Sequence, residues 1–317
     1  MIKDDFDYIT VNKVLFQGSG FVCLQSYEKD NSLYMPLSTI KKMTLYDKYS
    51  HKETLLTTNV TLTDITVSSF GTIWAIDMLG HLYRSNSDGL SGAHLDENLE
   101  IQAYGSKWSL QGITNQTPVC LIGENDDLWI ATQEGGLIHY DGQDFTKHSG
   151  IKQPIRFKRV NGHYFLIGYH RQLMQYVQGQ WQTLSFDASV PADIPINDLT
   201  MVNGHLLVVS NLGLILYQQS DNVFSILRYT ANIPWFGCDA LQDTVYLAGG
   251  SSGAYQLSLN TDELSADKNE VILIKKGHFV AVTVLGRRVV FLQALTSSAN
   301  FVCHIPFKQN RWFLVHT

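Results

Sequence analysis

The sequence predicts an all-β chain, a seven-bladed β-propeller with four antiparallel strands per blade, and three observations carry that expectation. The first is composition: 44% of the 317 residues are hydrophobic and 16% charged, with 24 Gly, 15 Tyr and 15 Phe. A charged share below the roughly 25% of an average domain excludes disorder, and the aromatic and glycine content favours strands and turns over long helices. The second is an internal echo, Val160-Asn161-Gly162-His163 followed about 42 residues later by Val202-Asn203-Gly204-His205. Asn-Gly between two apolar runs is a hairpin signal, because a type I′ turn needs positive φ at both central residues. The third is length: seven units of about 45 residues use the whole chain and leave no room for a second domain.

The units follow in order. The first is the least regular and is placed around 21–25 and 32–35. In the second, 64–69 leads into Thr72-Ile73-Trp74-Ala75-Ile76, a turn at Leu79-Gly80, and His81-Leu82-Tyr83-Arg84. In the third, 119–123 leads into Leu128-Trp129-Ile130-Ala131-Thr132, a turn at Gly135-Gly136, and Leu137-Ile138-His139-Tyr140. Runs at 164–168 and 172–177, 206–210 and 213–218, 245–249 and 253–259, and 288–293 and 301–307 continue the order. A fourth short run closes the units, as at 181–184, 224–227 and 312–315. Blade boundaries are therefore expected near 1–58, 59–112, 113–150, 151–192, 193–231, 232–276 and 277–317. A solenoid would have shorter repeats, and a sandwich would not repeat the aromatic position of Trp74 and Trp129. Because the last unit contains all four of its runs, closure without strand exchange is expected.

Compartment and chemistry are bounded next. The N-terminal stretch Met1-Ile2-Lys3-Asp4-Asp5 has no apolar leader, and no run approaches the ~20 apolar residues of a membrane span, so a cytoplasmic location is expected. Cys23, Cys120, Cys238 and Cys303 lie far apart in apolar runs and read as buried thiols, with no C-x-x-C spacing for zinc or redox chemistry. No Walker loop or His-Glu-x-x-His occurs, and no catalytic residue, cofactor or metal site is assigned. The 23 Lys+Arg against 29 Asp+Glu give a net charge of −6, and the basic doublets are isolated, which argues against nucleic acid.

One unit carries a family resemblance. Asn125-Asp126-Asp127-Leu128-Trp129-Ile130-Ala131-Thr132 with Gly135-Gly136-Leu137-Ile138-His139-Tyr140-Asp141-Gly142 resembles the two-component-regulator propeller repeat, and 72–83 matches it more weakly. The resemblance implies a propeller; in that family such propellers are extracytoplasmic sensors joined to a membrane helix and a kinase, and neither is found in this sequence. The Trp-Asp dipeptide of WD40 repeats and the sialidase-type Asp box are missing from the sequence.

Two groups of residues stand out as candidate sites. In the innermost runs, which line a propeller's channel, Arg156 and Lys158 alternate to one face, and Asp64, Asp198, Thr200 and Asp239 occupy matching positions. These read either as an ion-pair girdle or as a polar site for an anionic ligand or a partner's carboxylate. The second group lies on the face of the second-to-third turns and the blade-to-blade connections: Glu134, His170, Arg171, Asn211, Asp193 in the 187–197 connection, and Trp235 and Phe236 after Pro234. Trp235 is the strongest interface candidate, since an aromatic pair in a connection is not explained by strand propensity; its alternative is a plug at the channel mouth. Trp108, in the long 94–117 connection, is a second such aromatic. The expected function is non-enzymatic binding of another protein, in its specific form a cytoplasmic immunity-type inhibitor of a basic toxin enzyme. The alternative is a small-ligand sensor or an enzyme using the channel.

Overall fold

The computed structural model describes residues 8–17, 20–28, 37–45, 50–58, 60–85, 93–95, 101–102, 108–219, 223–259, 270–294, 299–307 and 311–316. The chain is all-β and builds seven consecutive four-stranded antiparallel blades of a β-propeller. It divides into two compact units, 1–156 and 157–317. The first unit holds blade I (Tyr8–Gln17, Gly20–Glu28, Leu37–Leu45, Ser50–Thr58), blade II (Leu62–Val67, Ile73–Asp77, His81–Ser85, Trp108–Ile113) and blade III (Pro118–Glu124, Asp127–Thr132, Gly136–Tyr140, Phe145–Ser149). Blade IV opens at the boundary with Pro154–Val160 and continues through His163–Gly168, Leu173–Val177 and Gln180–Thr183. The second unit continues with blade V (Ile196–Val202, His205–Ser210, Leu214–Gln218, Val223–Tyr229) and blade VI (Gly237–Leu241, Thr244–Ala248, Ala254–Ser258, Val271–Lys275). Blade VII (Phe279–Leu285, Arg288–Ala294, Ala299–Ile305, Arg311–His316) takes all four strands from the C-terminal segment.

Blades pack face to face, so the second strand of a blade is apolar on both sides. Ile73–Asp77 is buried at every position, and within Leu206–Ser210 no side chain reaches solvent. The cores lie between successive blades: Val22, Leu24, Ile40 and Leu55 of blade I meet Leu62, Ile65 and Ile73 of blade II. In the second unit Leu207, Ile215 and Tyr217 of blade V meet Cys238, Val245 and Leu247 of blade VI. The two Asn-Gly hairpins form as the sequence implies, with Asn161 and Gly162 at φ 48° and 81° and Asn203 and Gly204 at 52° and 80°. All four cysteines are buried thiols outside any disulfide, and burial pushes the Cys23 and Cys303 thiols up to about 12.

Two placements differ from the sequence reading, while in blade I the middle strands are Gly20–Glu28 and Leu37–Leu45 and the expected run at 32–35 lies outside the described residues. Blade II's outer strand starts only at Trp108, because the chain first sends Ala93–Leu95 across to pair in parallel with blade I's outer strand. Trp108 is accordingly a buried strand residue in the core shared by blades I and II, and not a loop aromatic open to a partner. No helix among the described residues is long and apolar enough to cross a membrane.

Candidate functional site

The polar residues of the inner strands form a repeated device. A carboxylate buried in an apolar strand must find donors, or its desolvation is uncompensated. Asp198 does so on both oxygens: Oδ1 accepts the N–H of Leu199, its own neighbour, at 3.0 Å, and Oδ2 accepts the N–H of Cys238 in blade VI at 3.0 Å. Lys158 of blade IV adds its ammonium at 2.9 Å from Oδ1 and 3.1 Å from Oδ2. One carboxylate thus ties three consecutive blades. Asp239 repeats the pattern, accepting from Ala240 N–H (2.9 Å), from Val284 N–H of blade VII (2.7 Å) and from the Thr200 hydroxyl of blade V (3.1 Å). In the first unit Asp64 accepts from Ile65 N–H (2.9 Å), from Leu121 N–H of blade III (2.7 Å) and from Lys13 of blade I (2.6 Å).

The electrostatics follow from burial. Desolvation pushes the Asp64 carboxyl above the ordinary aspartate value, against the pull of Lys13 and of the two N–H donors. Burial opposes the charge on Lys158, but Asp198, then Asp239, outweigh it, and the ammonium titrates above the usual lysine range. Of the four channel candidates, Lys158, Asp198 and Asp239 are therefore engaged by neighbouring blades. Arg156 is half-buried, at the last position of the first unit.

The turn face is built differently. Trp235, expected to be the leading contact, is wholly buried. Its N–H donates to Ser210 C=O (3.1 Å), its own carbonyl accepts from the Asn197 side chain (2.7 Å), and its ring meets Tyr255 edge-on at 5.2 Å. The connection holding it dips between blades V and VI, so the indole fills their shared core and offers no surface to a partner. Phe236 is half-buried, with its N–H bonded to Ala248 C=O and its ring beside Gly250.

His170 and Arg171 occupy the second-to-third turn of blade IV, both left-handed at φ 55° and 50°. Two successive non-glycine residues there carry strain of about 1–3 kcal/mol each, held only where neighbours over-determine the turn. The neighbour is the 187–195 connection: Arg171 donates its N–H to Ile194 C=O (2.9 Å) and its guanidinium to Val190 C=O, and the guanidinium lies 5.8 Å from the Phe186 ring centre. Arg171 is thus an internal clamp, while Tyr169, 50% exposed, and His170 project from the turn. Asp193 is exposed on the same connection, as is Asp187, which the hydroxyl and N–H of Ser189 hold below the ordinary carboxylate range. In blade III Glu134 is likewise exposed, its carboxylate lowered by backbone N–H bonds, its own first.

Three exposed apolar residues escaped the sequence reading because nothing in their local pattern distinguishes them from strand or turn fillers. Leu212 is 54% and Tyr229 63% exposed, and Tyr229 lies beside Leu214 at the same end of blade V. Gly213, at φ 81°, lets the 230–236 connection come this close, since a Cβ there would collide with the Thr230 carbonyl. The third is Tyr169. In blade II a separate arrangement lifts Met78 and Leu79 into solvent: Asp77, fully buried, accepts from the N–H groups of Leu79 and His81 and from Tyr83 Oη, and bonds His81 Nδ1 at 2.7 Å. An aspartate beside a histidine suggests catalysis, but here the pair closes a hairpin turn.

No protein-family model and no curated protein matches the sequence. Solved structures do. The WD40 β-propeller domain of Doa1 aligns with TM-score 0.58 at 11% identity, over 92% of this chain and 94% of that one. The YCF48 propeller, solved bound to a D1 peptide, aligns with TM-score 0.54 at 12% identity, over 80% of each chain. The extracellular domain of a putative one-component system from B. thetaiotaomicron aligns with TM-score 0.53 at 12% identity, over 91% of this chain and 38% of that one. At such identities the likeness shows the propeller fold and nothing finer.

Proposed function

We propose that this chain is a non-enzymatic protein-binding propeller whose partner seats on the second-to-third turns and incoming connections of blades IV and V. One observation carries the reading: Tyr169, Leu212 and Tyr229 stand in solvent on turns braced from beneath, whereas Lys158, Asp198 and Asp239 are bonded to neighbouring blades. Exposed aromatic and aliphatic side chains on a rigid base are what an interface core uses. YCF48 with its D1 peptide is a precedent for a propeller of this fold taking a polypeptide. The exposed Asp187 and Asp193 beside this patch, with the net charge of −6, favour a basic partner. In its specific form the proposal is a cytoplasmic immunity-type inhibitor that covers the active site of a basic toxin enzyme.

The test is affinity capture from the native host by the wild type, by a Tyr169→Ala/Leu212→Ala/Tyr229→Ala variant and by an Arg156→Gln/Lys158→Gln variant, each first shown to be folded. A basic protein retained by the wild type and the inner-strand variant, and lost by the triple variant, supports the reading. The opposite pattern moves function to the inner strands and the ligand or enzyme alternative. The inhibitor form requires that one equivalent of this chain abolish the captured protein's enzymatic activity.

A further inference from the structure

The outer strand of each blade has one edge turned away from its own sheet, and an uncovered apolar edge invites pairing. The chain guards most of these edges. Ala93–Leu95 lies in parallel along blade I's outer strand, and Ser185–Phe186 lies in parallel along blade V's. Blades III and IV end in polar strands, Phe145-Thr146-Lys147-His148-Ser149 and Gln180-Trp181-Gln182-Thr183. The outer strands of blades II, VI and VII have no described strand along them, and those of blades VI and VII are mainly apolar. Blade VII's, Arg311-Trp312-Phe313-Leu314-Val315-His316, contains no acidic residue. Blade VI's reads Val271-Ile272-Leu273-Ile274-Lys275 between the opposite charges of Glu270 and Lys276, and Ile272 and Leu273 are 43% and 42% exposed on opposite faces of the ribbon.

We propose that this edge is the interface of a two-fold homodimer, its occupant the same strand of a second copy. The segment is complementary to itself. Antiparallel pairing about an axis at Leu273 sets Ile272 against Ile274 and Val271 against Lys275. It also sets Glu270 against Lys276, twice by symmetry, and both of these are exposed. Opposite charges facing across an antiparallel pair stabilise it, and a two-fold contact must match itself in this way. A shift that offers Lys275 to Glu270 loses that match, because the Lys275 ammonium already lies 4.8 Å from the centre of the Trp312 ring. The bulge that carries Ile274 between Leu273 and Lys275 shortens the regular ladder, so the apolar side chains and the two end pairs bear most of the contact.

Sedimentation of the full chain over a concentration series tests this. The wild type should dimerise, and Leu273→Lys, which places charge at the axis, should leave a folded monomer. Glu270→Lys and Lys276→Glu should each weaken the dimer about tenfold, since each places like charges at both symmetric positions, and the double exchange should restore it. A wild type that stays monomeric at every soluble concentration overturns the proposal. So does a dimer indifferent to Leu273→Lys, or a double exchange that fails to recover association. Were Leu273→Lys unfolded by circular dichroism, the charge series alone would decide.

Discussion

The inner strands and the turn face of blades IV to VI use their unusual residues in opposite ways. On the inner strands Lys158, Asp198 and Asp239 look like an active site, yet each is bonded to a neighbouring blade. On the turn face Tyr169, Leu212 and Tyr229 look unremarkable in sequence, yet they stand in solvent on a backbone clamped by Arg171 and by the Thr230–Gly213 contact. Charged groups in a strand interior are thus read first as structure, and function is sought where apolar groups remain without a protein neighbour.

Substitutions can break that contrast, and the largest effects should fall on the structural side. Asp198→Ala leaves the buried Cys238 N–H and the Lys158 ammonium uncompensated and should lower unfolding free energy by about 3–5 kcal/mol in denaturant titration. A loss below about 1 kcal/mol would show that the carboxylate does not tie the blades together. Trp235→Ala should cost about as much, 3–5 kcal/mol, through the cavity between blades V and VI, with partner binding intact in the folded protein. On the turn face the order inverts: Tyr229→Ala should leave stability within about 0.5 kcal/mol but weaken partner binding by about 2 kcal/mol, roughly thirtyfold by calorimetry.

A pH series sharpens the comparison further. The Lys158 value is raised in the folded state, so its stabilising contribution is complete below the ordinary lysine value of 10.5 and is lost as pH rises through the higher folded value. Melting temperature should therefore fall in that alkaline range, and Lys158→Met should remove this part of the fall. Last and smallest, His170→Gly should raise stability by about 1 kcal/mol by relieving one left-handed residue of the blade IV turn. No change there would mean that the 187–195 connection has already absorbed the strain.

What could be read in the sequence was local. Asn161-Gly162 and Asn203-Gly204 announced their turns, and the continuous apolar runs at 73–76 and 206–209 announced strands buried on both faces. What could not be read depends on partners far along the chain. Trp235 follows Pro234 in a connection, and only packing between two blades buries it. The carboxylates meet backbone N–H groups 57, 40 and 45 residues later, and a backbone donor leaves no mark in a sequence. The available signal was an aspartate inside an otherwise apolar strand, where the residue is disfavoured unless something compensates it. The turn at His170-Arg171 was hidden for another reason: neither residue is the Gly or Asn that normally marks left-handed backbone.

The three carboxylates also share a direction. Asp64, Asp198 and Asp239 each draw a side-chain donor from the blade before and a main-chain N–H from the blade after. During synthesis the earlier donor is therefore already present when each acid emerges, and the later one arrives with the next blade. Within each unit the chain can lock blade by blade in the order in which it leaves the ribosome. A polypeptide stopped after blade V or VI would hold a buried acid short of one donor, a built-in mark of incompleteness that the finished chain erases.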